Sequence, residues 1–259
     1  MKSINKEKIQ KAFTEQASRF SSDKMNFTKQ EYLNYTLDKM MPRKTDCILE
    51  VAAGTCICGC AIAPSAQHVT CLDMTPAMLS VGKDTAEKQQ LPNMSFVLGD
   101  SMELPFLENS FDIVFSRLAF HHFSDIEQSF QEMKRVLKPG GKLIVIDMEA
   151  SVEDLRPVED EIERLRDPSH VKNISKEEFL ALYEKNGLQV EFCETTRIPV
   201  VLQNWMEHTQ TPADIQEQIV SKMQEDIAGE SKTGFFPYYK NEQLHFDQRW
   251  LMLIGKDLH

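Results

Sequence analysis

The sequence predicts an α/β fold in which a mostly parallel sheet is covered by helices on both faces. Three observations lead there. Short, uniformly apolar runs occur at Cys47–Val51, Val69–Leu72, Ser95–Leu98, Phe111–Phe115 and Leu143–Ile146. A strand buried on both faces reads this way, whereas a half-exposed strand alternates. The segments between the runs are long enough for crossover helices. Finally, a loop of small residues, Ala52-Ala53-Gly54-Thr55, directly follows the first run, the place where open α/β sheets hold a ligand.

Before residue 45 the pattern is helical. Thr28 and Glu31 have capping-box spacing, and Leu33, Leu37 and Met40 follow at helical intervals before Pro42. Thr75-Pro76 supplies an N-cap with proline at the first helical position of a segment running towards Gln90. Phe130, Met133 and Leu137 form one face of another helix, which Lys138-Pro139-Gly140-Gly141 ends in a type II turn feeding the run at Leu143. Further on, Leu155, Val158, Ile162 and Leu165 mark an amphipathic helix ended before Pro168. Ser175 with Glu178 opens a helix that Gly187 terminates, and Thr211-Pro212 opens one carrying Ile215, Ile219, Met223 and Ile227 towards Gly229. Strands are expected at Leu188–Cys193 and Trp250–Ile254. The organisation predicted is an N-terminal helical segment over residues 1–44, an α/β core over 45–150, and a C-terminal part over 151–259 holding a helical cap and the last two strands of the same sheet.

Composition narrows the function. With 29 Lys+Arg against 40 Asp+Glu the formal charge is -11, which argues against nucleic acid and polybasic membrane-surface partners. The stretch from Val51 to Leu72 carries no formal charge, but Gly54, Thr55, Gly59, Pro64, Ser65, Gln67 and His68 interrupt it, so no stable membrane insertion is expected. No apolar signal segment opens the chain, and six cysteines in 259 residues are too sparse for a disulfide scaffold. A cytoplasmic protein is the expectation, with a homodimer left open. Cys56-x-Cys58-x-Cys60 lacks metal-knuckle spacing, and residues two apart on a helix face different ways. These cysteines are read as small core residues and no metal is expected.

The loop after the first run admits two nucleotide-type ligands. The next run ends at Asp73, 19 residues beyond Gly54, where a carboxylate can accept from ribose hydroxyls. A dinucleotide fingerprint in this frame reads Gly54-x-Cys56-x-x-Gly59, and a cysteine side chain replaces the glycine that admits a pyrophosphate. A nicotinamide-dependent oxidoreductase is therefore disfavoured and kept as an alternative.

Five ordered motifs carry a resemblance. Glu50-Val51-Ala52-Ala53-Gly54-Thr55-Cys56 resembles the first motif of the class I S-adenosylmethionine-dependent methyltransferases. Val69-Thr70-Cys71-Leu72-Asp73-Met74 resembles the second, and Gly99-Asp100-Ser101-Met102-Glu103-Leu104-Pro105-Phe106 the third. Ser110-Phe111-Asp112-Ile113-Val114-Phe115-Ser116 with Phe120-His121-His122-Phe123, then Arg135-Val136-Leu137-Lys138-Pro139-Gly140-Gly141, complete a match over about residues 13 to 148. The branch most similar holds the ubiquinone and menaquinone C-methyltransferases and many bacterial small-molecule enzymes. Arg164-Leu165-Arg166-Asp167-Pro168-Ser169-His170-Val171 and Thr211-Pro212-Ala213-Asp214 resemble its uncharacterised members.

The resemblance implies a Rossmann-like fold with a mostly parallel seven-stranded sheet, one antiparallel strand at the end and a helical cap. It implies methyl transfer from S-adenosylmethionine to a small-molecule acceptor, leaving S-adenosylhomocysteine. Glu50 would order the loop, while Ala52 and Gly54 would carry the amino-acid part of the cofactor. Asp73 would take the ribose, Met74 would pack on the adenine, Asp100 with Ser101 would bond its edge, and Met78 and Met102 would also contact the cofactor. Phe20, with Phe13 and Arg19, matches a segment that folds over the cofactor, and Arg117 would hold that segment or a carboxylate. His121 and His122 are the candidate general bases, with a packed structural histidine the equal alternative for each. The aromatics Trp205, Phe235, Phe236, Tyr238 and Tyr239, with Met206 and Met223, are candidates for an acceptor pocket. Ala52 and Cys56 stand where the family has glycine; Cys56 is expected to face the cofactor's methionine end, and Ala52 to be harmless in an ordinary backbone conformation. These departures keep a non-catalytic binding protein as the second alternative.

Overall fold

The apolar runs become strands because their faces meet helices; the run at the sheet's edge, Met94–Leu98, is only half-buried. The computed structural model describes residues 2–17 and 26–258. Strands β1 (Cys47–Val51), β2 (His68–Asp73), β3 (Met94–Leu98), β4 (Phe111–Arg117) and β5 (Leu137–Met148) run parallel. Three more, β6 (Leu188–Val201), β7 (Tyr238–Lys240) and β8 (Gln243–Asp257), complete the sheet. The strand order is β3-β2-β1-β4-β5-β8-β6, with β7 paired to β8 alone. Among the described residues the sheet thus has eight strands, one more than expected, because the short β7 forms a hairpin with the start of β8. The reversed strand is β8, antiparallel to both β5 and β6.

Helices α1 (Lys2–Gln16), α2 (Gln30–Met40), α3 (Ile57–Ile62), α4 (Pro76–Lys88), α5 (Ile126–Val136), α6 (Arg156–Arg166), α7 (Lys176–Lys185), α8 (Leu202–His208) and α9 (Ala213–Ala228) surround the sheet. One face packs Leu49, Val51, Val114, Val145 and Leu253 against Phe130, Met133 and Tyr183. The other packs Ile48, Val69, Phe115 and Ile144 against Leu33, Met40, Ile62 and Leu79. Ser175 and Glu178 form the expected capping box of α7, and Gly140, at the third position of the turn, has φ +74°. The capping box expected at Thr28 does not form: α2 is entered through Lys29 without a side-chain cap, and Thr28 ends a short 3₁₀ turn.

Strands β6 and β8 are much longer than their apolar stretches. Their ladder runs from Leu188 opposite Asp257 to Val201 opposite His245, whereas β5 stops at Met148 opposite Trp250. The pair therefore overhangs the carboxyl edge of the sheet. A separate apolar cluster there, Ile162, Val200, Trp205, Met206, Ile219, Met223, Phe235 and Phe246, joins α6, α8 and α9 into a cap.

Candidate functional site

Reversal of the strand order between β1 and β4 opens a crevice at the carboxyl ends of the parallel strands. It holds a cavity of about 300 Å³. The loops after β1, β2, β3 and β4 form one half; the cap and α1 close the other.

In the first half the backbone is held by buried carboxylates. Glu50 accepts from Gly59 N at 2.8 Å and from the Cys71 thiol at 3.5 Å, which ties the loop to the start of α3. Burial pushes the Glu50 carboxyl up to about 7. Asp73 accepts from Gly54 N and Thr75 N, each at 2.8 Å, so one carboxylate pins the loops after β1 and β2 together. Burial lifts its carboxyl above the ordinary value despite these bonds. Gly54 has φ +52° and nothing within 4 Å of where a Cβ would stand. Asp100 accepts from Met102 N at 2.9 Å, and Ser101 and Ser129 share a hydroxyl bond at 3.0 Å. Ala52, Gly54, Asp73, Met74, Met78, Asp100, Ser101 and Met102 all line this half.

The two departures from glycine behave differently from expectation. Ala52 is left-handed at φ 54°, not ordinary, so its Cβ is strained. Cys56 is also left-handed, at φ 57°, but it is fully buried and does not line the cavity. Its sulfur packs behind the loop onto Gly82 of α4, and its thiol reaches Gly54 O at 3.5 Å. Cys58 and Cys60 are buried too, and burial pushes both thiols up to about 12.

In the second half two histidines sit side by side, with ring centroids 4.1 Å apart. A 3₁₀ turn, Phe120–His122, places them just past β4. His121 Nδ1 lies 2.5 Å from Asp147 Oδ1. Asp147, in β5, also accepts from the backbone N–H groups of Ala119, Phe120 and Met148. Burial opposes charge on both partners, yet their attraction holds the Asp147 carboxyl below its usual value and the His121 imidazole above its own. His122 Nδ1 faces Ser169 O at 3.1 Å and Ser169 Oγ at 3.2 Å. Burial and the adjacent His121 push the His122 imidazole well below the ordinary value. Phe13 of α1 meets His122 edge-on at 5.0 Å, and Gln10 Nε2 donates to Met74 O at 3.0 Å, so α1 bridges both halves.

Arginines stack on two tryptophans in the same cavity. Arg117 lies 5.2 Å from the Trp250 ring and Arg166 4.5 Å from the Trp205 ring. Of the proposed pocket aromatics only Trp205 lines the cavity. Met206, Met223 and Phe235 are cap core, Phe236 and Tyr239 are exposed, and Tyr238 donates to Asp247 at 2.7 Å. Phe20 and Arg19 lie outside the described residues. Asp147 escaped the sequence reading, although a lone acid closing the apolar run Leu143–Ile146 was a usable signal. The contact of Asp167 and Ser169 with His122 had none, since a distant loop brings them there.

The order of the sheet, the loop pinned by carboxylates and the carboxyl-edge cavity define a nucleoside-binding α/β enzyme. Comparisons with known proteins narrow that class. Residues 49–145 match the family model described as a methyltransferase domain. The chain is 33% identical over 215 residues to the uncharacterized methyltransferase YcgJ of Bacillus subtilis, covering 82% of this chain and 83% of that one. It is 34% identical over 160 residues to a demethylmenaquinone methyltransferase of Listeria welshimeri, covering 57% of this chain and 65% of that one. The crystal structure of YcgJ superposes with a TM-score of 0.82 at 27% identity, covering 89% of this chain and all of that one (100%). The chain belongs to the class I S-adenosylmethionine-dependent methyltransferases. Its cofactor is S-adenosylmethionine, and the nicotinamide reading falls. The residues fit that cofactor: the buried Asp73 carboxylate stands at the cavity wall as an acceptor for hydroxyl donors, and the backbone at Gly54 is open.

Proposed function

We propose that the chain transfers the methyl group of S-adenosylmethionine to a small-molecule acceptor in the capped half of the cavity and releases S-adenosylhomocysteine. In this reading Glu50 orders the loop, Ala52 and Gly54 bear the amino-acid end, and Asp73 takes the ribose. Met74, Met78 and Met102 flank the adenine, while Asp100 and Ser101 meet its edge. Bound cofactor supplies an electrophilic methyl on a cationic sulfur. The protein's task is to align donor and nucleophile, exclude water and remove a proton.

The observation that carries this reading is the buried His121–Asp147 pair, 2.5 Å long, with His121 in the wall of the cavity. An ionised Asp147 fixes the proton on Nδ1, so neutral His121 offers Nε2 as a base to an acceptor O–H or N–H. Segments 1–44 and 151–259 act as the covers of a core at 45–150. The six cysteines, all free, support a reducing, cytoplasmic setting.

The test uses S-adenosylmethionine labelled in its methyl group and a small-molecule extract of cells. The expected result is a labelled small molecule with the wild type and a loss of at least about 100-fold with His121→Asn, the usual scale of a general base. Binding of S-adenosylhomocysteine without any labelled product would favour the non-catalytic binding protein instead.

A further inference from the structure

The segment Arg166-Asp167-Pro168-Ser169-His170, which begins at the last residue of α6, fixes the second histidine. A carbonyl only accepts, so Ser169 O facing His122 Nδ1 requires a proton on that nitrogen. The Ser169 hydroxyl gives the same answer independently. It donates to Asp167 Oδ1 at 2.5 Å and therefore presents only lone pairs to His122 Nδ1 at 3.2 Å. Ser169 N donates to the same Asp167 oxygen at 2.9 Å. Arg166, paired with Glu163 at 3.1 Å, supports the Asp167 charge from the neighbouring position.

Burial, His121 and His170 favour the neutral His122 ring against the opposing charge of Asp167, and the Ser169 contacts fix its tautomer. When a proton reaches this pair of rings, His121 takes it because it has Asp147, and a second imidazolium with centroids 4.1 Å away would be repelled. His170 pairs with Asp160 at 2.8 Å. Asp167 is hydrogen-bonded to Ser169, which contacts His122, and its charge also acts on the ring. Phe13 closes one side without a polar group. For both histidines the Nδ1 edge is committed to protein, which leaves Nε2 to serve a molecule in the cavity they line.

We propose that His122 is a fixed hydrogen-bond acceptor beside the base, so that the methyl acceptor carries two neighbouring donors: one hydroxyl or amine that reacts and a second on the adjacent atom. This rests on the methyl-transfer reading above. The lone pair of the reacting oxygen or nitrogen forms the bond to the methyl carbon while the carbon–sulfur bond breaks and the sulfonium becomes a thioether. The proton of that group passes to His121 Nε2 and then to water; the second donor keeps its proton and holds the molecule on His122 Nε2. A methoxy or carbonyl oxygen in the second position would set lone pair against lone pair. Binding weaker by about tenfold to a hundredfold is the expected scale for a buried acceptor left unmatched.

The experiment uses the full chain saturated with S-adenosylhomocysteine, nitrogen-15-labelled histidine, and three probes: 1,2-dihydroxynaphthalene, 2-methoxy-1-naphthol and 1-naphthol. The expected spectrum shows His122 as the neutral Nδ1–H tautomer throughout the neutral pH range, with its Nε2 signal shifted by the diol. The diol should bind at least about tenfold more tightly than the other two, and His122→Phe should abolish the difference. An Nε2–H tautomer, an imidazolium, equal binding of the three probes, or no shift with any of them would overturn the proposal. Failure to bind S-adenosylhomocysteine would instead strike the methyl-transfer reading itself.

Discussion

At the scale of single residues, electrostatics assigns roles that residue type alone could not. His121 and His122 are identical in sequence terms, yet one faces a carboxylate and the other a carbonyl. For catalysis the sign is simple: His121 must be neutral to accept a proton, and its folded value lies above 6.5. The rate at low acceptor concentration should rise with pH through an inflection above 6.5. Asp147→Asn should move that inflection down and lower the rate by about 100-fold, measured as kcat/KM against pH. Stability responds in the opposite sense. A raised histidine value contributes stability fully present below its unfolded value and lost as pH rises through the folded one. Glu50 behaves likewise: its carboxyl stays protonated to about 7 in the folded chain against 4.5 when unfolded. Stability should fall between those values, and Glu50→Gln should flatten that slope in denaturant titrations across pH.

At the scale of elements, the cofactor loop shows how a glycine-poor chain builds a glycine-type motif. Cys56 occupies a left-handed position, and the space its sulfur needs is found at Gly82 on α4. Gly82→Ala should destabilise the protein by about 1–3 kcal/mol through overpacking. Combining it with Cys56→Gly should recover most of that loss, a coupling that a double-mutant cycle in urea would measure. Ala52→Gly should relieve left-handed strain of roughly 1 kcal/mol. Strands β1 to β5 and most helices were legible because their residues obey one period or carry a capping residue. Asp73, at the end of an apolar run, was legible for the same reason. The extensions of β6 and β8 past their expected apolar stretches were not: Glu194–Arg197 and Gln243–Asp247 carry mostly polar side chains, and the β6–β8 and β7–β8 ladders make them strands. Helix α8, seven residues long, is likewise held by burial of Leu202, Trp205 and Met206 rather than by any local signal.

At the scale of the whole molecule, one sheet edge organises everything. The switch between β1 and β4 makes the crevice, the loops after four strands furnish its floor, and the β6–β8 overhang raises the cap above it. Among the described residues no helix is long and apolar enough to cross a membrane. The cap core centres on Trp205, in ring contact with Phe235 and Phe246 at 5.7 and 5.1 Å and under the Arg166 cation. Trp205→Ala should therefore cost about 3–5 kcal/mol within the cap. It should raise KM for the acceptor while leaving the affinity for S-adenosylhomocysteine nearly unchanged, a split that steady-state kinetics and calorimetry read separately. The motif order identified the crevice from sequence, but the partnership of the His121–His122 turn with a loop some fifty residues downstream exists only in the folded chain.

The central claim is that Asp73 and the carboxyl edge of the sheet hold S-adenosylmethionine. Isothermal titration of the full chain with S-adenosylhomocysteine, beside Asp73→Asn and beside NADH, tests it most directly. Saturable binding by the wild type, a loss of about tenfold or more in Asp73→Asn and no heat with NADH are the expected results, since a charged hydrogen bond is worth about 1.5–3 kcal/mol. Binding of NADH in place of S-adenosylhomocysteine, or an Asp73→Asn variant that binds as tightly as the wild type, would contradict the account.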